Sequence, residues 1–309
     1  MKVIAVAGGT GHVGRPIVET LARSPSFKVV VLGRKTNPDL PGFSVYIQND
    51  YKDIEALAQI LTQHNVHTVI STIQITDETA STAEVNLIRA ADSSSSAKRF
   101  IASSWGSLPN ENSPTSGYQE ASIGQLRKTT LEWTRFAVGF FLDYYGLPHI
   151  KTHLPGMSFA VDVAHRKAAI PGTGNDPISF TYTYDVARFV AVFLDEPRWE
   201  ELTVCYGERT TWNGFLKVAE QVTGQSFEVV YDSVEKLQGG EVTELPSHKA
   251  ELAASPFPEP IARHLLAVLG LWAVNGQFDI QQEKSLNLKY PEIKPMRVRE
   301  ALLCGCGRE

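Results

Sequence analysis

Near its start the chain runs Val3-Ile4-Ala5-Val6-Ala7, breaks on Gly8-Gly9-Thr10-Gly11-His12-Val13-Gly14, and resumes with apolar residues at Ile17, Val18 and Leu21. The first run is apolar at every position, which suits a parallel strand covered on both faces. The second has helical spacing. Between them, Gly9, Gly11 and Gly14 satisfy G-x-G-x-x-G, and Gly8, Gly11 and Gly14 fall at a G-x-x-G-x-x-G spacing. A glycine motif alone constrains little, but one that ends a buried strand and opens a helix constrains a great deal. Glycine lets the backbone turn tightly. It also lets amide N–H groups approach a pyrophosphate, which the helix N-terminus attracts as well. A glycine-rich turn without a ligand is the alternative. Pro16 suits the first helical turn, where N–H groups have no partner within the helix.

The alternation repeats. Residues 28–32, 43–47, 68–72, 99–103 and 131–138 read as further strands. Residues 53–61 read as a helix with Asp53 at its N-cap, and 83–91 as another that leaves through a serine run at 93–96. This pattern predicts an α/β fold built on a Rossmann-like, doubly wound parallel sheet. From Trp105 onward, prolines and glycines punctuate the chain more densely. Pro171-Gly172-Thr173-Gly174 reads as a turn. Residues 179–183 alternate, and Asp185 reads as the cap of a helix through Leu194. Strands near 204–206 and 227–231 and a helix over 261–274 complete the remainder. The expected organisation is a dinucleotide-binding domain over 1–155, with a returning segment near 178–206. A smaller C-terminal α/β substrate domain is expected over 156–309.

The formal net charge of −5 argues against a nucleic-acid partner, which calls for a basic stripe. No apolar run approaches the roughly 18 residues of a membrane-spanning helix. The expected compartment is the cytoplasm. Cys205, Cys304 and Cys306 are odd in number and lack framework spacing, which argues against a secreted disulfide scaffold. No His or Cys cluster surrounds Cys304-Gly305-Cys306, so no metal is expected.

The second strand ends Val31-Leu32-Gly33-Arg34-Lys35. A site selective for NAD places Asp or Glu here, against the ribose 2′-hydroxyl. Two cations stand here instead, and a guanidinium pairs bidentately with a 2′-phosphate. NADP(H) is therefore the expected cofactor, the alternative being two solvated loop cations. The cofactor-binding candidates are Gly8, Thr10, Gly11, His12, Val13 and Gly14 in the loop, with Arg34 and Lys35. Asp50 either meets the adenine edge or serves its own turn. Thr72, Ile73 and Ser103 join them because ligands of open α/β sheets lie beyond the strand carboxyl ends. Trp105 either lines the pocket or packs.

GGTGHVGRP at 8–16, LGR at 32–34, KRFIASSWG at 98–106, LEWTRFAVGFFLDYYG at 131–146, IPGTGNDPISFTYTYDVARFV at 170–190 and LPS at 245–247 follow one another in order. In this order the chain resembles the NmrA-like, isoflavone-reductase-like branch of the extended short-chain dehydrogenase superfamily, its later stretches most like fungal members. The resemblance covers most of the chain. It implies NADP(H), a two-part fold and reduction of an unsaturated or carbonyl-bearing small aromatic compound. It also implies that Gly139 and Phe141 neighbour the cofactor and that Asp143, Tyr144 and Tyr145 face substrate. Without it, Phe140, Phe141, Tyr144 and Tyr145 read equally well as a core aromatic cluster.

Reductases of this family place a lysine early in the helix before LEWT. By count from Leu126 and Leu131 that position holds Glu120, which lacks the fixed positive charge that polarises a carbonyl. Lys128 is an outside candidate at the helix exit. The superfamily's Tyr-x-x-x-Lys pair is absent there, because Ser122 follows Tyr118 by four residues. Tyr290 and Lys294 match the spacing, but Pro291 lies between them. Asp162 and His165, three apart, are expected on one helix face, either as an acid–base pair or as a surface polar contact. A hydrolase reading of Ser103 and Ser104 lacks the G-x-S-x-G elbow. The expectation is an NADPH-dependent reductase of a small aromatic or polycyclic metabolite, with Glu120, Tyr118, Asp143, Tyr144 and His165 as catalytic candidates. One alternative is a cyclase, isomerase or dehydratase using Glu120, or the Asp162–His165 pair, as acid or base. The other is a non-catalytic NADP(H)-sensing regulator with a protein partner.

Overall fold

A computed structural model describes residues 1–34, 45–109, 116–255 and 257–308. The first elements are β1 (Lys2–Ala7), α1 (Gly14–Ala22), β2 (Phe27–Gly33), β3 (Val45–Gln48), α2 (Ile54–Gln63), β4 (Val66–Ser71), α3 (Glu78–Ser93), β5 (Arg99–Gly106), α4 (Ser116–Leu126) and β6 (Glu132–Ala137). Then come β7 (Phe140–Phe141), β8 (Val161–Asp162), β9 (Lys167–Pro171), β10 (Pro177–Thr181), α5 (Thr183–Phe193), β11 (Leu202–Val204), β12 (Glu208–Thr211), α6 (Trp212–Thr223) and β13 (Glu228–Asp232). Helices α7 (Val234–Gln238), α8 (His248–Ala253), α9 (Glu259–Val274), α10 (Leu286–Lys289) and α11 (Val298–Gly305) follow.

The chain divides into two compact units. The first comprises residues 1–105, 110–137 and 186–205. Its seven-stranded sheet has the order β11-β6-β5-β4-β1-β2-β3. The β1–β2, β1–β4, β2–β3, β4–β5 and β6–β11 pairs are all parallel. The direction of winding reverses at β1, so the exits of β1 and β4 form the switch point where such sheets hold ligands. The buried faces are those the periodicity indicates: Ile17, Val18 and Leu21 on α1, and Leu57 and Leu61 on α2, are fully covered. The returning segment, expected near 178–206, enters this unit at Val186 and supplies β11. Residues 138–155, expected here, group with the second unit.

Local departures have local causes. Helix α3 begins at Glu78, five residues before the expected start. Its first turns are Ser/Thr-rich and carry no apolar period, while Asp77 caps it by accepting from the Ala80 amide at 2.8 Å. Strand β3 is shifted to 45–48, and residues 43–44 lie outside the described residues. Asp185 is not a cap. Helix α5 starts at Thr183, so Asp185 stands in its first turn and accepts from the Met296 amide at 2.7 Å.

The second unit comprises residues 106–109, 138–185 and 206–309. It holds two three-stranded sheets, β12-β10-β7 and β13-β9-β8, with helices α6 to α11. Its core is aromatic. Phe180 is fully buried, with ring centroids 5.2 Å from both Trp212 and Phe215 and 6.1 Å from Phe140. Gly139, at φ +78°, lies against the Ser179 carbonyl so closely that a Cβ would collide with it. Phe180→Ala should therefore cost about 3–5 kcal/mol in urea unfolding. Leu288→Ala, at a side chain left 55% exposed, should stay within about 0.5 kcal/mol.

Candidate functional site

The glycine loop is built by exclusion of side chains. The Gly11 amide donates to the Gly8 carbonyl at 2.8 Å, and the Arg15 amide to the Gly11 carbonyl at 3.0 Å. A Cβ on Gly14 would lie 2.5 Å from the Gly8 carbonyl oxygen and would also strike the Thr72 hydroxyl. Gly8 takes φ +72°, and its amide donates to the Leu32 carbonyl at 3.0 Å. Thr72 joins the exits of β1 and β4: its amide and its hydroxyl both donate to the Ala7 carbonyl, at 2.8 and 2.7 Å. The N-cap of α1 is Val13, which makes no side-chain cap, and no acidic residue stands in the first turn. The helix end therefore presents amide hydrogens and a positive dipole to whatever lies before it. Thr10 is half-buried and His12 exposed on the loop.

Arg34 is exposed just past β2, and Lys35 lies outside the described residues. Asp50 serves its own turn, accepting from the Lys52 amide at 3.1 Å with the Lys52 ammonium 3.7 Å away. Its neighbour Tyr51 carries no mark in the sequence beyond its size. At φ +62° it is almost fully buried and donates its hydroxyl to the Leu32 carbonyl at 2.9 Å. Burial pushes the Tyr51 phenol up.

At the other exits, the Ser103 hydroxyl donates to the Ile73 carbonyl at 2.7 Å. The Trp105 indole donates to the Ser71 carbonyl at 2.9 Å and stacks 5.3 Å from Phe136, so it packs. Helix α4 carries the half-buried Tyr118 and the exposed Glu120. The Glu120 carboxylate lies 3.7 Å from the Arg135 guanidinium. Lys128 is past the helix, in the turn closed by its amide on the Gln125 carbonyl at 3.0 Å.

In the second unit, Gly139 and Phe141 flank Phe140 at the start of the aromatic core, Phe141 itself half-buried. Asp143 is completely buried. It accepts from the Thr152 hydroxyl at 2.6 Å, the Thr183 hydroxyl at 2.6 Å and the Thr183 amide at 2.9 Å. Burial pushes its carboxyl up against these bonds. Tyr145 belongs to the core, its ring 4.5 Å from Phe215 and its hydroxyl donating to the Phe159 carbonyl. Tyr144 is half-buried, 5.5 Å from Phe140. Phe140, Asp143 and Tyr145 are thus taken up by the interior, while Phe141 and Tyr144 stay half-buried at its margin. Tyr182 and Tyr184 are half-buried as well, with ring centroids 5.4 Å apart. Sequence reasoning passed over them, reading residues 179–183 only as an alternating strand. The Lys151 ammonium lies 4.5 Å above the Tyr184 ring, and the His153 Nε2 is 3.2 Å from its hydroxyl.

Asp162 and His165 meet, but not on a helix. Asp162 ends β8, and His165 lies in the turn to β9. His165 Nδ1 is 3.1 Å from both Asp162 oxygens and 3.3 Å from the Ser247 hydroxyl. In a Ser-His-Asp relay, acid and nucleophile use opposite ring nitrogens. Here they share one. Asp162 also accepts from the Ser247 amide at 2.9 Å and the His165 amide at 3.2 Å, which makes it a turn-holding residue. Among the described residues, no group of three or more His, Cys, Asp or Glu could hold a metal ion, and no helix is long and apolar enough to cross a membrane.

Comparison with known proteins finds a match to the NmrA-like family over residues 1–300. The oxidoreductase BOA1 of Botryotinia fuckeliana is 33% identical, covering 96% of each chain. The isoflavone reductase homolog P3 of Arabidopsis thaliana is 27% identical, covering 97% of this chain and 96% of its own length. Among solved structures, a leucoanthocyanidin reductase–NADPH complex from Vitis vinifera has the same fold, with a TM-score of 0.73, 17% identity and 99% coverage of both chains.

Asp162 also sets a pH dependence. Burial works to raise its pKa, but the bonds from Ser247 and His165 outweigh it and hold the carboxyl below its ordinary value. A depressed folded-state pKa contributes stability above the unfolded value of about 3.9 and loses it as pH falls through the folded value. Urea midpoints should therefore place Asp162→Asn below the unsubstituted protein at pH 7, with the gap closing as the pH falls below the unfolded carboxyl's value and on through the lower folded one.

Proposed function

The chain belongs to the NmrA-like family, and on that premise we propose that it is an NADPH-dependent reductase of a small aromatic or polycyclic molecule. One observation carries the reading: the uncapped N-terminus of α1, opened by a glycine turn with no room for side chains, with an exposed guanidinium just past β2. The donor set fits NADP(H). Amides of residues 10–14 would hold the diphosphate, Arg34 the 2′-phosphate, and the backbone at Thr72 and Ile73 the run beyond the β4 exit. NADPH, when bound, supplies a hydride. The chain's own residues then have to orient the substrate and deliver a proton. Tyr118 and Glu120, on the helix after the β5 exit, are the candidates for the proton. The aromatic substrate class is supported by the isoflavone reductase homolog of Arabidopsis thaliana among the relatives.

Calorimetry should find NADP+ binding tighter than NAD+. Arg34→Asp should weaken NADP+ by roughly 10–100-fold, the worth of a charge-assisted pair, and leave NAD+ little changed. A panel of aromatic enones and ketones should then consume NADPH. Product formed without loss of NADPH would point instead to the non-redox alternative, and tight binding without any turnover to a regulator.

A further inference from the structure

A helix that covers a parallel sheet is expected to bury an apolar face, and α3 does so with Leu87, Ile88, Ala90 and Ala91. Over the two turns before it the same buried face becomes polar, with Ser81 and Glu84. Glu84 is 1% exposed, yet the groups acting on its carboxyl are hydroxyls and a backbone amide, with no cation among them, and burial pushes it up. Oε1 accepts from the Ser103 amide at 2.7 Å and Oε2 from the Ser122 hydroxyl at 2.7 Å, and the Ser71 hydroxyl at the end of β4 also acts on the carboxyl. Neither partner belongs to α3. Ser103 lies toward the carboxyl end of β5, and Ser122 stands on α4. Ser103 passes the constraint on to the β4 exit through its bond to the Ile73 carbonyl. A parallel tie runs from the Ser81 hydroxyl to the Tyr118 carbonyl at 3.2 Å, at the head of α4.

A buried carboxyl without a cation is a costly filler for a contact that leucine could occupy. What it supplies is two acceptors at fixed separation, aimed at two other elements. We propose that Glu84 is the positioning residue of the cofactor edge: it fixes the β4 and β5 exits and helix α4 relative to α3, and so sets nucleotide affinity. The proposal rests on the reading of the first unit as an NADP(H) site.

Two substitutions separate bond geometry from filling. Glu84→Gln keeps an acceptor for the Ser103 amide and offers an N–H to the Ser122 oxygen, so both ties can be remade. Glu84→Leu keeps the volume but strands the Ser103 amide and the Ser122 hydroxyl. Calorimetric titration of NADP+ into the full chain, at a temperature where each variant's unfolding curve shows it folded, reads the difference. Glu84→Gln should stay within about threefold of the unsubstituted protein, and Glu84→Leu should weaken binding about tenfold or more. If Glu84→Leu does not fold, Ser122→Ala, which removes one tie only, should still weaken NADP+ severalfold. Unchanged affinity in a folded Glu84→Leu, or in Ser122→Ala where Leu is unfolded, would overturn the proposal. So would a Glu84→Gln defect as large as that of Leu, which would make charge the determinant. An unsubstituted protein that fails to bind NADP+ would instead defeat the functional reading on which this rests.

Discussion

Backbone meets backbone without intervening side chains at the end of β1, and the rest of the first unit is arranged around that approach. Gly14 lies against the Gly8 carbonyl, and Thr72 fastens the neighbouring β4 exit to the Ala7 carbonyl. The consequence is directional. A helix begins immediately beside the sheet's switch point with no side chain capping its first amides. Any Cβ at Gly14 has to displace backbone as well as the Thr72 hydroxyl, so this geometry and a bulkier residue exclude each other.

Around that approach, both units spend buried polar groups on joining elements. Glu84 ties three elements of the first unit, and a Thr134–Thr203 hydroxyl pair at 2.8 Å joins β6 to β11 in its buried part. In the second unit, Asp143 gathers Thr152 and the head of α5, and Asp162 holds the β8–β9 turn to Ser247. Two of the carboxylates with a chemical look in the sequence, Asp143 and Asp162, thus have their acceptors occupied by the fold. Among the described candidates, Arg34, His12, Glu120 and His165 stay exposed, and Tyr118, Tyr182 and Tyr184 are partly exposed.

The doubly wound sheet was legible because its strands are short apolar runs separated by helical periods, and periodicity reports burial directly. The glycine loop was legible because its meaning depends on flanking elements that were themselves readable. What escaped the sequence depends on long-range proximity. Glu84 lies in a stretch whose pattern says only that a helix passes. Its role exists because Ser103 and Ser122, 19 and 38 residues away, arrive at its two oxygens. The reading of Asp162 and His165 found a true contact for the wrong reason, since a hairpin turn as well as a helix brings residues three apart together. The GFFLDYYG stretch divided: Phe140 and Tyr145 went to the core, which composition alone could not distinguish from a pocket.

On the proposed reading, one end of the first unit grips a dinucleotide at two separate phosphate positions, by helix amides and by Arg34. Phosphorus NMR of NADP+ titrated with the protein observes both positions in one experiment. The diphosphate and 2′-phosphate resonances should both shift or broaden on addition of the protein, and Arg34→Asp should abolish the change at the 2′-phosphate while the diphosphate still responds. Resonances that stay at their free positions throughout, or a 2′-phosphate indifferent to Arg34, would contradict it.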